Sequence, residues 1–114
     1  MAYDKVLEER LEDYLIAHNV QYEIKHMFGG AAFMVDDKMC VGIIKDNLMA
    51  RVDPESMEEL LQLDYADKMK MGQRTMKGFL SIHPDGLIDE KQLSFWIQKC
   101  LDFNPKAKKS KKRR

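Results

Sequence analysis

The sequence predicts an α+β domain of two layers, an antiparallel sheet with helices on one face, in the order α-β-β-β-α-β(-β)-α. Three observations carry this prediction. The chain opens and closes on amphipathic helical patterns with recognisable caps. Between them lie short apolar runs joined by polar turns of two or three residues, which connect only antiparallel neighbours. The first such stretch, Met27-Phe28-Gly29-Gly30-Ala31-Ala32-Phe33-Met34-Val35-Asp36-Asp37-Lys38-Met39-Cys40, is apolar, then small, then apolar on both sides of an acidic turn. Four small residues in a strand cost backbone entropy and packing, so another backbone, a helix, is expected close against Gly29 and Gly30.

Taken in order, Asp4 to Asn19 reads as the first helix. Tyr3, Leu7, Leu11, Tyr14 and Leu15 form one stripe, and Asn19 suits the exit. A strand from Tyr22 to Val35 follows, broken or bulged at Gly29-Gly30, and Asp36-Asp37 closes a hairpin. Lys38–Ile44 and Leu48–Val52 are the next two strands. Asp53-Pro54-Glu55 starts a short helix, with a capping carboxylate and Pro at the first helical position, and Met57, Leu60 and Leu61 form its buried face. From Leu63 to Gly78 the periodicity is weak and predicts loop with a short extended piece; Phe79 to Ile82 is a strand ended by His83-Pro84-Asp85-Gly86. Asp89 caps the last helix with Gln92 completing a capping box, Ile88 and Leu93 stand at the positions of a hydrophobic staple, and Leu93, Trp96, Ile97, Cys100 and Leu101 follow one stripe up to Asn104-Pro105.

Length and charge bound the rest. At 114 residues the chain is one domain, residues 1–104, followed by a basic tail, 105–114, expected to be disordered. The formal net charge is zero, yet Lys106, Lys108, Lys109, Lys111, Lys112, Arg113 and Arg114 supply seven of the 19 basic residues and the tail has no acid. The body is therefore acidic by seven charges. No apolar run approaches a membrane span and the N-terminus has no secretory h-region, so a cytoplasmic location without membrane contact is the expectation. Cys40 and Cys100 lack CxxC spacing and sit at apolar positions, as small buried hydrophobes do.

The residues Met27-Phe28-Gly29-Gly30 after a first helix, then Phe33-Met34-Val35-Asp36-Asp37-Lys38-Met39, Leu48-Met49-Ala50-Arg51-Val52, Met76-Lys77-Gly78-Phe79 and Pro84 before the last helix, together resemble the N-terminal domain of the TfoX/Sxy proteins. That family is named for a bacterial regulator of competence for DNA uptake. The resemblance spans roughly residues 10 to 103, with no room for the C-terminal domain of the full-length regulators. It implies a two-layer α+β domain without known catalysis or cofactor, associating with itself or with other proteins. The shared Gly29 and Gly30 then serve close approach, Phe28 and Phe33 the core, and Gly78 a sharp entry to its strand. Arg51 and Lys77 are charged motif residues that packing explains less readily.

Cys40 with His26, or Cys100 with His83, have the residue types of a thiol and its base, but no spacing brings either pair within reach. His18, His26 and His83 form no metal-ligand pattern, and Gly29-Gly30 lacks phosphate-loop spacing. The prediction is no catalytic residue, no metal and no cofactor. Met69, Met71 and Met76 suit core filling or an adaptable binding surface. Arg51, Arg74 and Lys77 suit an anion or partner contact, or ion pairing with the acidic body. The tail suits salt-sensitive contact with nucleic acid through its seven cations, or simple solvation. The leading reading is a non-catalytic regulatory or protein-interaction module with a protein partner or a second copy. The alternatives are nucleic-acid association through the tail, and a small ligand-binding protein or enzyme with an anion site near Arg51 and Lys77.

Overall fold

A computed structural model describes residues 4–27, 29–71 and 73–107. Helix α1 spans Lys5–Ala17 and is followed by strands β1 (Glu23–Met27), β2 (Gly30–Val35), β3 (Lys38–Ile44) and β4 (Asn47–Arg51). A 3-10 turn, Pro54–Ser56, leads into the short α2 (Met57–Leu60). The hairpin β5 (Ala66–Met71) and β6 (Arg74–Ile82) then precedes α3 (Glu90–Phe103). The six strands form one antiparallel sheet in the order β1-β2-β3-β4-β6-β5.

Local chemistry accounts for the element ends. The Asp4 carboxylate accepts from the amides of Val6 and Leu7, which starts α1, and Asn19 leaves it at a φ of 59°. Asp36 and Asp37 both take positive φ, 56° and 63°, the pattern of a two-residue primed turn. Asp53 caps the Pro54 turn by accepting from the Glu55 amide. The capping box of α3 is complete, with the Asp89 carboxylate accepting from the Gln92 amide and the Gln92 side chain accepting from the Asp89 amide. The staple is not: Ile88 is 73% exposed, and Leu87, buried, takes the apolar position ahead of the cap.

One core holds the layers together. Leu7, Leu11 and Leu15 of α1, Met57 and Leu60 of α2, and Leu93, Trp96, Ile97 and Cys100 of α3 join Phe33, Val41, Ile43, Leu48, Ala50, Leu80 and Ile82 of the sheet. Side chains alternate across a strand, so these sheet residues define a single helix-covered face. A bulge opposite Phe33, which faces Val41 while Met34 faces Met39, inserts Cys40 as the extra residue of β3. Cys40 is thereby buried in the core beside Val41.

Three further expectations change. The long first strand is broken at the glycines as expected, but the break is a full hairpin, with Glu23 to Met27 paired against Met34 to Gly30. The loop expected over Leu63–Gly78 contains β5 and the first half of β6, and Gly78 lies inside that strand at φ +85°, its amide 2.9 Å from the Met57 sulfur. Lysines and an aspartate on an edge strand hide the apolar alternation that identifies central strands. Finally, the neighbour of Gly30 is a strand: an added Cβ would fall onto the Ile43 carbonyl oxygen of β3. Gly29 has open space and a φ of +72°, so it is a turn residue. Phe28 and the tail residues Lys108, Lys109, Lys111, Lys112, Arg113 and Arg114 lie outside the described residues. The chain stays packed past Asn104, whose side-chain amide donates to the Val35 carbonyl at 3.2 Å, as far as the buried Ala107.

Candidate interaction face

Because the three helices bury one face of the sheet, the residues that alternate with the core positions form the other. On β4 these are Asn47, Met49 and Arg51; on β6, Phe79 and Ser81; on β2 and β3, Gly30, Ala32, Met34, Met39, Gly42 and Ile44. The methyl groups of Met39 and Met49 converge over Gly42, where an added Cβ would meet the Met49 methyl at 2.7 Å and the Met39 methyl at 3.3 Å. The small Ala32 stands directly opposite Gly42 and is buried although, among the described residues, no helix lies on its side. The Gly-Gly-Ala-Ala run thus serves a floor on which flexible methionines lie.

Arg51 anchors one end of this band. Its guanidinium sits 5.4 Å from the centroid of the Phe79 ring, its cross-strand partner, and its Nη1 donates to the Met39 carbonyl at 3.3 Å. Burial lowers its pKa, an effect the neighbouring Cys40 opposes. Arginine keeps its charge through such a shift, so a fixed cation stands within an apolar band. Arg74 lies at the β5–β6 hairpin, five residues before Phe79, about 16 Å away along an extended strand. Lys77 is exposed beside Gly78, and Lys106 is exposed at the end of the helical layer.

Two depressions flank the sheet and the helices. One, of about 310 Å³, adjoins the methionine band through Met49 and Ile44 and is lined on its other side by Lys68, Met69 and Lys70 of β5. The second, of about 400 Å³, lies on the helix side between the loop before β5 and α3. Leu63, Tyr65 and Phe95 line it while each remains about 40–47% exposed. Neither the outward place of Met49 nor the group of Leu63, Tyr65 and Phe95 stood out from sequence. The alternation Leu48 in, Met49 out, Ala50 in, Arg51 out contains the signal for the first, but an apolar residue on both faces reads as a doubly buried strand.

The thiols are placed for packing. Burial pushes the Cys40 thiol up from 9.0 to about 12, against a smaller opposing pull from Arg51. Burial and the nearby Cys40 also raise Cys100, with the Arg51 backbone amide opposing. His26 is exposed on the edge strand, 3.9 Å from Glu8, and His83 is exposed beside Asp85. A protonated, buried thiol is neither nucleophile nor metal ligand at neutral pH. Among the described residues no three His, Cys, Asp or Glu side chains group as metal ligands would. Native protein at pH 8 is accordingly expected to resist thiol alkylation, both cysteines reacting only after denaturation. Folding holds the Cys40 pKa above its unfolded value, so the thiol's contribution to stability is full below pH 9 and lost as pH rises through about 12. Denaturant midpoints measured from pH 8 to 11 should fall at the alkaline end, and less so in Cys40→Ala.

The family model of the TfoX N-terminal domain matches residues 14–104. The chain belongs to the TfoX N-terminal domain family. No curated protein and no solved structure matches it. The TfoX N-terminal match runs from the last turn of α1 to the end of α3, and so includes every strand of the sheet and the whole methionine band. Among the described residues of this TfoX N-terminal domain, no helix is long and apolar enough to cross a membrane.

Proposed function

We propose that this protein is a non-catalytic regulatory or interaction module, acting in the cytoplasm, that engages a protein partner or a second copy through the open face of its sheet. The observation that supports this reading is the band formed by Met34, Met39, Ile44, Met49 and Phe79 around Arg51, on the side of the sheet opposite all three helices. A half-buried apolar band that no helix covers among the described residues, with a charged residue set into it, is a surface that a partner can complete. Methionine supplies adaptable contacts, while an arginine already held over an aromatic ring loses little freedom on binding. Membership of the TfoX N-terminal family agrees with such a role without specifying its partner.

The test is a photo-crosslinking residue introduced at Met49 in one variant and at Ile16, exposed on α1, in another. Crosslinks to a partner or a second copy are expected from Met49 and none from Ile16. Phe79→Glu should weaken the same association by a factor of ten or more, as loss of an interface anchor does. Its effect on unfolding should stay within about 1 kcal/mol, because the ring is only partly buried. Equal crosslinking from both positions would remove the face from consideration.

Nucleic-acid association through the tail is a second reading, favoured by the seven cations from Lys106 to Arg114. Its affinity should fall steeply with salt and disappear on removal of residues 108–114, with the unfolding midpoint unchanged. Binding that survives that deletion would place the contact elsewhere.

A further inference from the structure

The depression beside Met49 has a charge pattern unlike the rest of the body. It is lined by Lys45, Lys68 and Lys70 with no carboxylate among its lining residues, in a body that carries seven more acids than bases. None of the three lysines takes part in an ion pair among the described residues. A space of about 310 Å³ is of the order of one Debye length across at physiological salt, so the three charges act on its contents together.

Its form follows from the sheet. The floor is Ser81, small, with its hydroxyl accepting from the Asn47 amide at 2.9 Å, so these two polar groups are already engaged. Ile44, Met49 and Met69 make apolar walls. Met69 is buried yet does not belong to the helix-side core, which places it with the open face. Lys68, Met69 and Lys70 all border the depression, although Lys68, opposite the core residue Leu80, belongs to the helix side of the strand, and Asp67, opposite Ser81, to the open side. The register of β5 against β6 shifts between Lys68 and Lys70, and such a bulge re-aims side chains. Lys45 is held at a φ of 56°, uncommon for a lysine, in the turn that closes the other end.

We propose that this depression receives an acidic segment of a protein partner, an apolar side chain entering between Met49 and Met69 and flanking carboxylates meeting Lys45, Lys68 and Lys70. The proposal rests on the open face being the partner surface and names the chemistry of what binds there. Peptide fits better than nucleic acid for two reasons. No aromatic side chain lines the space, so bases have nothing to stack on. The apolar walls match a leucine-like anchor flanked by charge, and sugar-phosphate chain has no such group.

The experiment uses the full chain and fluorescence anisotropy with three labelled probes of equal charge: a peptide of alternating Glu and Leu, the same peptide with every Leu replaced by Ser, and a short oligothymidylate. The Glu-Leu peptide should bind at least tenfold more tightly than the Glu-Ser peptide. Its affinity should drop at least tenfold in K45E/K68E/K70E and less than threefold in K25E/K91E/K99E, which changes the same net charge elsewhere. Circular dichroism melts of both triple variants establish that each folds. Equal binding of the two peptides, equal loss in both triple variants, loss only on removal of residues 108–114, or preference for the oligothymidylate would each overturn the proposal. If the peptides fail while Met49 still crosslinks to a partner, the open face stands and the acidic-segment inference falls; if neither binds nor crosslinks, both fall.

Discussion

Trp96→Ala is expected to destabilise the protein by about 3–5 kcal/mol, the range for emptying a large aromatic site in a core. Trp96 is 4% exposed on the inner stripe of α3, in the cluster shared by Leu93, Ile97 and Cys100 with strands β3 and β4. Few neighbours can close the space, because the helix is tied at both ends. The Asp89–Gln92 box fixes its start, and Asn104 holds its end to the Val35 carbonyl. Native stabilities of small domains are about 5–15 kcal/mol, so the loss takes a large part of the total and lowers the melting temperature by about 10–20 °C. Phe95→Ala is the comparison: adjacent in sequence, edge-on to Trp96 at 5.1 Å, but 40% exposed. It should cost about 1 kcal/mol. Urea unfolding of the two variants separates them, and a Trp96→Ala loss no larger than that of Phe95→Ala would mean that α3 docks by another surface.

Gly30→Val should cost about 3 kcal/mol, at the upper end of overpacking. The added carbon would fall on the Ile43 carbonyl, with the Ile43 carbonyl carbon at 3.2 Å and the Ile44 Cα at 3.3 Å. All three are backbone atoms of the paired strand, so relief requires opening the β2–β3 ladder, and even Gly30→Ala meets the same oxygen. Gly29 behaves differently. With open space and a φ of +72°, it tolerates shape but resists conformation, so Gly29→Asn should lose only a few tenths of a kcal/mol and Gly29→Val about 1–2. Guanidinium unfolding of these four variants should rank them Gly29→Asn, Gly29→Val, Gly30→Ala, Gly30→Val. A Gly30→Ala protein that unfolds with the parent would contradict the contact at Ile43.

Much of the fold is legible because its instructions are local. Asp4, Asp53 and Asp89 each satisfy amides within three residues, and Asp36-Asp37 turns the chain using only its own dihedrals. The stripe from Leu93 to Cys100 is a matter of helical period, and it is buried as its spacing requires. Ile88 marks the limit of that reasoning. It occupies the staple position, but the turn at Pro84–Gly86 delivers Leu87 to the core in its place. The hairpin of β5 and β6 was hidden for the converse reason, since an edge strand need not alternate when little covers it.

The sequence by itself determined the α+β class, the caps and turns, the buried stripe of α3 and the need for something close against Gly30, because each depends on neighbours within a few residues or on a period. Only the tertiary structure decided that this close neighbour is strand β3, a strand where a helix was expected, and that Met39 and Met49 meet over Gly42 on the face opposite the helices. The same is true of Lys45 and Lys68, 23 positions apart, lining one depression. Those outcomes depend on strand order and register, which are settled by the packing of the whole sheet and leave no mark in any single segment.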